Sequence, residues 1–139
     1  MRSVLIQGLA ARFRSYSDLI EQLDDAALEE RLQAPKHKSL REHLWCVVGA
    51  RESYASALEA GVWSGFSCSM KTYTRGDFAA KLESSSQAAL CAISGVKEWT
   101  DTRQELLLAL AEHEVMHEGQ IIRHMYGFEK TLPTSWKWA

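Results

Sequence analysis

Apolar residues recur at helical spacing along almost the whole chain. Leu5, Leu9, Phe13, Tyr16, Ile20 and Leu23 form one stripe, which predicts a first helix from about Ser3 to Leu23. The stretch "DDAALEERLQ" reads as a short acidic-capped helical turn that Pro35 stops. Ser39 with Glu42 three residues later matches a capping box, so a second long helix opens there and runs to about Ala60. Its apolar sector holds Leu40, Leu44, Val47, Tyr54 and Leu58, and Gly61 stands where a left-handed terminator belongs. A third long helix opens near Asp77 with Phe78, Leu82, Ala89 and Ile93 inward. Thr102 with Glu105 suggests a second capping box, and the last helix ends at Gly127. The tail "FEKTLPTSWKWA" is broken by proline, and its two Trp residues are expected to pack back on the helices. No segment alternates as a strand does.

The connections constrain the topology. The stretch from Gly61 to Gly76 is long enough, at about 3.3 Å per residue, to cross a whole helix, as a parallel connection requires. The join from Gly95 to Asp101 is short and implies antiparallel neighbours. The expectation is an all-α fold over residues 1–139, one domain, a four-helix bundle of up-down-down-up course with a long crossover between helices two and three. A long excursion between antiparallel helices is the competing account of the crossover.

Composition narrows the function. With 46% hydrophobic and 24% charged residues, 8 Gly and 2 Pro, the chain is globular and ordered. A net charge of −2 and no dense basic patch argue against a nucleic-acid surface. The apolar cluster near the start is soon followed by Arg12 and Arg14, too short and charged for a signal segment or membrane span. Cys46, Cys68 and Cys91 form no CxxC pair and read as reduced thiols in a cytoplasmic protein, with Cys46 and Cys91 as small core residues.

The candidate chemistry lies in "HEVMHEGQ", residues 113–120. His113 and His117, four apart, share a helix face and fall in the sector of Leu106, Leu110, Ile121 and Phe128. His43 falls in the inward sector of the second long helix. Three imidazoles meeting between two helices would hold one divalent ion and leave positions for water or substrate. The bland alternative is three core histidines, each bonded to a carbonyl, a Tyr or a carboxylate. His37 reads as solvated, and His124, about 10 Å along the helix from His117, as core or pocket wall. "HEVMH" also fits the zincin string, in which Glu114 would be the general base, but the chain has no sheet to support that cleft. Glu114 and Glu118 are equally readable as carboxylates that orient an imidazole. Arg51 and Tyr54 are candidates to hold an anionic substrate or cofactor, against a buried Arg paired with a core carboxylate. Trp63, Phe66 and Tyr73 in the crossover are either a pocket wall or a packed surface loop.

"HEVMHEGQIIRHMYGF" resembles the last helix of the DinB-like (YfiT/DinB) family, whose hallmark is H-x-x-x-H-x-G-Q followed by Ile or Leu. "KSLREHLWCVVGARESY" is similar to that family's second helix, and "LPTSWKWA" to its tail. The resemblance implies an often dimeric four-helix bundle with zinc or nickel on three histidines, which here are His43, His113 and His117. Gly119 would then allow close helix approach, and Gln120 would bond within the bundle or at a dimer interface. Some relatives transfer low-molecular-weight thiols to electrophiles, or isomerise maleylpyruvate with a thiol. The implied function is a metal-dependent transferase that acts on a small molecule through a small thiol. The rivals are a metal-dependent hydrolase and a non-catalytic, metal-binding or stress-induced helical protein.

Overall fold

A computed structural model describes residues 1–139. The chain is all-helical: α1 spans Arg2–Gln22, α2 Asp25–Glu29, α3 Leu40–Ala60, α4 Arg75–Gly95 and α5 Asp101–Gly127. No helix is long and apolar enough to cross a membrane.

Local chemistry explains the boundaries. Ser39 and Glu42 close the expected capping box on α3, and Gly61 ends that helix at φ 77°, left-handed as its position predicted. The start of α4 lies earlier than the pattern near Asp77 suggested. Thr74 is its cap and Asp77 the third helical residue, so a shorter Asp fills the role usual for Glu. At α5 the expected cap at Thr102 gives way to Thr100, whose hydroxyl accepts from Arg103 N at 3.3 Å. The side chain of Arg103 then turns to the neighbouring helix, donating from Nε to Leu58 O (2.8 Å) and from Nη2 to Glu59 O (3.1 Å). One residue thus joins the start of α5 to the end of α3, where orphan carbonyls need donors.

Two apolar clusters make the core. One gathers Tyr16, Leu19 and Ile20 of α1, Leu40, Leu44, Val47 and Val48 of α3, Phe78 and Leu82 of α4, and Ile121 and Met125 of α5. The other holds Leu9 and Phe13 of α1, Leu58 of α3, Ala89 and Ile93 of α4, and Leu106, Leu107 and Leu110 of α5. Each large apolar side chain so buried contributes about 1.5–3 kcal/mol.

Residues 62–73 carry no helix and run back along α3. Trp63 packs on Tyr54 (ring centroids 4.7 Å) and Phe66 on Trp45 (5.2 Å), while Ser67 N donates to Ser53 Oγ at 2.9 Å. Gly49 admits this contact, because a Cβ there would lie 2.3 Å from the Phe66 ring. Met70 is buried in the first cluster, whereas Trp63, Phe66 and Tyr73 stay partly exposed. Of the two readings of this segment, the packed surface loop describes the observed contacts. In the tail, Trp136 is buried and donates from Nε1 to Ser15 O at 2.8 Å, but Trp138 is 63% exposed and does not pack back as expected. Cys91 is also exposed rather than a core residue.

Candidate metal centre

The periodicity that puts Leu40, Leu44 and Val47 in the core also turns His43 inward, and that of Leu110 and Ile121 does the same for His117. The two imidazoles meet across α3 and α5, Nδ1 to Nδ1 at 3.0 Å. His113 lies one turn before His117, with ring centroids 4.5 Å apart. Two of the expected trio, His113 and His117, group instead with Cys46, a residue expected to be core filling, while His43 meets His117 alone. Cys46 stands three residues after His43 on the same face, its Sγ 3.5 Å from His113 Nε2. Cys46, His113 and His117 place donor atoms within 4.8 Å of one another and form a group able to hold a metal ion.

The donor set fits an ion on two observations. A tetrahedral ion with bonds of about 2.0–2.1 Å to nitrogen and about 2.3 Å to sulfur spaces its donors about 3.3–3.6 Å apart. The 3.5 Å separation of Cys46 Sγ and His113 Nε2 lies close to such an edge, and the donor atoms of Cys46, His113 and His117 all lie within 4.8 Å of one another. Second, each of these two rings has a buried nitrogen with no hydrogen-bond partner, Nδ1 of His113 and Nε2 of His117, the atoms opposite those that contact Cys46 and His43, so an ion could be taken on either ring edge.

Burial keeps these imidazoles neutral, the form that binds metal. Desolvation lowers His43 to about 4 and His117 to about 3, with neighbouring positive charge from Lys38 and the other histidines adding to it. His113 is lowered for the same first reason, and burial pushes the Cys46 thiol up, so Cys46 is protonated at neutral pH without an ion. The sign of the linkage follows. In the unfolded chain His titrates near 6.5, so below that pH the unfolded state takes up protons that the native state refuses. This contribution is fully present above pH 6.5 and is lost as pH falls toward 4. Metal-free protein is expected to lose on the order of 2 kcal/mol between pH 7 and pH 5 through His43 alone. Urea unfolding at the two pH values checks this, and His43→Phe should reduce the difference by about that amount while the share of His117, lowered further still, remains.

Other candidates are placed elsewhere. Glu114 is fully buried, and both its oxygens are held by Arg51: Nε to Oε1 and Nη2 to Oε2, each 2.8 Å. Arg51 Nη1 donates further to Ser86 Oγ at 2.9 Å and Leu82 O at 3.2 Å. Its guanidinium lies over Phe13 at 4.4 Å. Glu114 is therefore no free general base, and Arg51 is the buried partner of a core carboxylate instead of a ligand-binding cation. Glu118, also buried, accepts from Arg12 Nη1 at 2.7 Å. Tyr54 is half-buried against Trp63, about 16 Å along α3 from His43 by helical rise, and does not reach the histidines. His124 is buried beside Phe128, with neither ring nitrogen bonded.

An opening of about 430 Å³ reaches His43 from the surface, lined also by Pro35–Lys38, Met116, Gly119, Gln120 and Arg123. Gly119 does not serve close helix approach, since a Cβ there would meet no atom within 4 Å. Gln120 is exposed at the same opening. His37, expected to be solvated, is half-buried in this wall. The missed residues had unequal signals. The i, i+3 spacing of His43 and Cys46 is visible in the sequence, whereas the meeting of residues 35–38 with Arg123 requires the fold. No family model matches the chain, and no curated protein matches it.

Proposed function

We propose that this chain is a DinB-like metalloprotein, a single four-helix-bundle domain of up-down-down-up course with α2 as an accessory turn. The course is supported by the core clusters, one of which joins the C-terminal halves of α1 and α5 to the N-terminal halves of α3 and α4. His43, His113 and His117 would hold one divalent ion, with zinc and nickel among the metals that suit imidazole donors. When bound, such an ion lowers the pKa of a thiol or water in its shell. The function we favour is a metal-dependent transferase that uses a low-molecular-weight thiol against a small electrophile. The observation that carries it is the placement of His117 between His43, 3.0 Å away, and the group it forms with His113 and Cys46, with His43 at the foot of an opening to solvent. The chain's own residues would present the imidazoles neutral and admit the small molecule past Gly119. Hydrolysis is the weaker enzymatic reading, because Glu114, its natural base, is bound to Arg51 on both oxygens. Free cysteines accord with a cytoplasmic home. The apolar groove between α1 and α5, with Val4, Val115 and Trp138 exposed, accords with a homodimer.

A second reading is favoured by Cys46. Its sulfur joins His113 and His117 in the one tight donor group, and a protein thiolate added to imidazoles is the pattern of a structural site that braces the helices. Cobalt substitution separates the two. In the enzymatic reading, three histidines bind and cobalt protein shows no thiolate-to-metal charge transfer, while the protein consumes electrophile only when a small thiol is supplied. A strong charge-transfer band that Cys46→Ser abolishes, with no thiol-dependent turnover, would overturn the transferase reading and favour the brace.

A further inference from the structure

We infer that the opening beside His43 is a seat for a small polyanion, a molecule bearing two or more carboxylates or a phosphoryl group. It rests on the metal reading only for its purpose, as the place where the substrate or thiol carries its charge. Lys36 and Lys38 come from the turn before α3 and Arg123 from α5, and all three line one opening that no carboxylate lines. None of them is among the ion pairs of the protein. The chain as a whole is net negative at −2, so this concentration of positive charge is local and not a property of the surface at large.

Exposed lysines are ordinarily solvated, and charge alone would not make a site. The backbone supplies a separate observation. Ala34 to His37 form a turn closed by His37 N to Ala34 O at 3.3 Å, with Pro35 and Lys36 as its central residues. Lys36 has φ 61°, so the turn is of type II, whose third position strongly favours Gly or Asn. A lysine is held left-handed there, and such strain tends to lie where a side chain has work at a site. Opposite it, the H-x-G-Q string leaves the wall bare at Gly119 and offers the Gln120 amide as a neutral donor. At about 430 Å³ the space suits a metabolite-sized ligand rather than a polymer. The geometry thus gives cations on two sides, an amide, a bare wall and a buried imidazole at the inner end.

Calorimetric titration of metal-free protein with succinate, and separately with inorganic phosphate, tests the seat at low ionic strength. Saturable one-site binding that weakens with added salt is expected for at least one probe, and the preferred probe identifies carboxylate or phosphoryl chemistry. Lys36→Gly removes a cation while relieving the left-handed strain, so its thermal midpoint should hold or rise as anion affinity falls. Gly119→Glu adds a negative charge where nothing is crowded, and should weaken binding by about tenfold or more with the helix intact. His117→Ala should bind the anion as the wild type does, which separates this proposal from the metal reading. Absence of saturable binding to both probes, or affinity unchanged in both Lys36→Gly and Gly119→Glu, overturns it.

Discussion

Arg51→Ala is expected to destabilise the protein by about 3–5 kcal/mol, a large share of the 5–15 kcal/mol typical of a domain. The magnitude follows from what is left behind. Arg51 and Glu114 have fully buried side chains, and the guanidinium satisfies both carboxylate oxygens. Removing the cation strands a carboxylate between α3 and α5 and deletes the donors to Ser86 and Leu82 on α4. Only part of the loss is Coulombic, because the guanidinium also fills space over Phe13 and Tyr16. Arg51→Lys keeps the charge but loses the two-pronged geometry, and should fall between the wild type and alanine. The paired replacement Arg51→Met with Glu114→Leu removes both charges and keeps volume, so it should recover most of the loss. Urea unfolding with unchanged slope is the measurement. A cost below about 1 kcal/mol for Arg51→Ala would contradict the buried pair.

That pair also shows how far the residues alone carry the structure. Helical periodicity brought His43, Leu44, His117 and Ile121 to inward faces before any fold was known, because side-chain direction repeats every 3.6 residues. The same reasoning leaves Glu114 readable as a general base or as a carboxylate that orients an imidazole. Its partner is Arg51, 63 positions earlier, and a one-dimensional period holds no information about such a partner. Cys46 was legible in spacing but read as packing, since a small thiol on an apolar face is ordinarily core. Caps behaved alike: "TDTRQE" offers two threonines, and the Thr102–Glu105 pattern fits the string, yet Thr100 wins. The opening at His43 was the least legible feature, because Lys36, Lys38 and Arg123 become neighbours only when α3 and α5 pack.

Loading the centre with a divalent ion is expected to raise the thermal midpoint by more than about 10 °C, and His117→Ala should abolish that rise. An ion present at about a thousand times its dissociation constant stabilises by about 4 kcal/mol. For a chain of this length, each kcal/mol shifts the midpoint by a few degrees, roughly 3–4 °C. The rise, rather than the midpoint itself, reports the site. His117 is 1% exposed, so truncation leaves a small cavity in metal-free protein; it also removes a buried nitrogen that lacks a partner. These effects oppose each other, and the metal-free midpoint should therefore move far less than the metal-induced rise. His43→Ala and His113→Ala should each cut the rise sharply if three imidazoles share the ion. Cys46→Ser discriminates between donor sets, since its sulfur belongs to the tight group with His113 and His117 whereas His43 reaches it through His117. A rise that survives Cys46→Ser and vanishes in His43→Ala assigns the ion to the three histidines. The reverse pattern assigns it to Cys46, His113 and His117, with His43 as the hydrogen-bonded neighbour that orients His117. If the wild type shows no rise with zinc or nickel, the four side chains are core packing, and the metal reading fails with them.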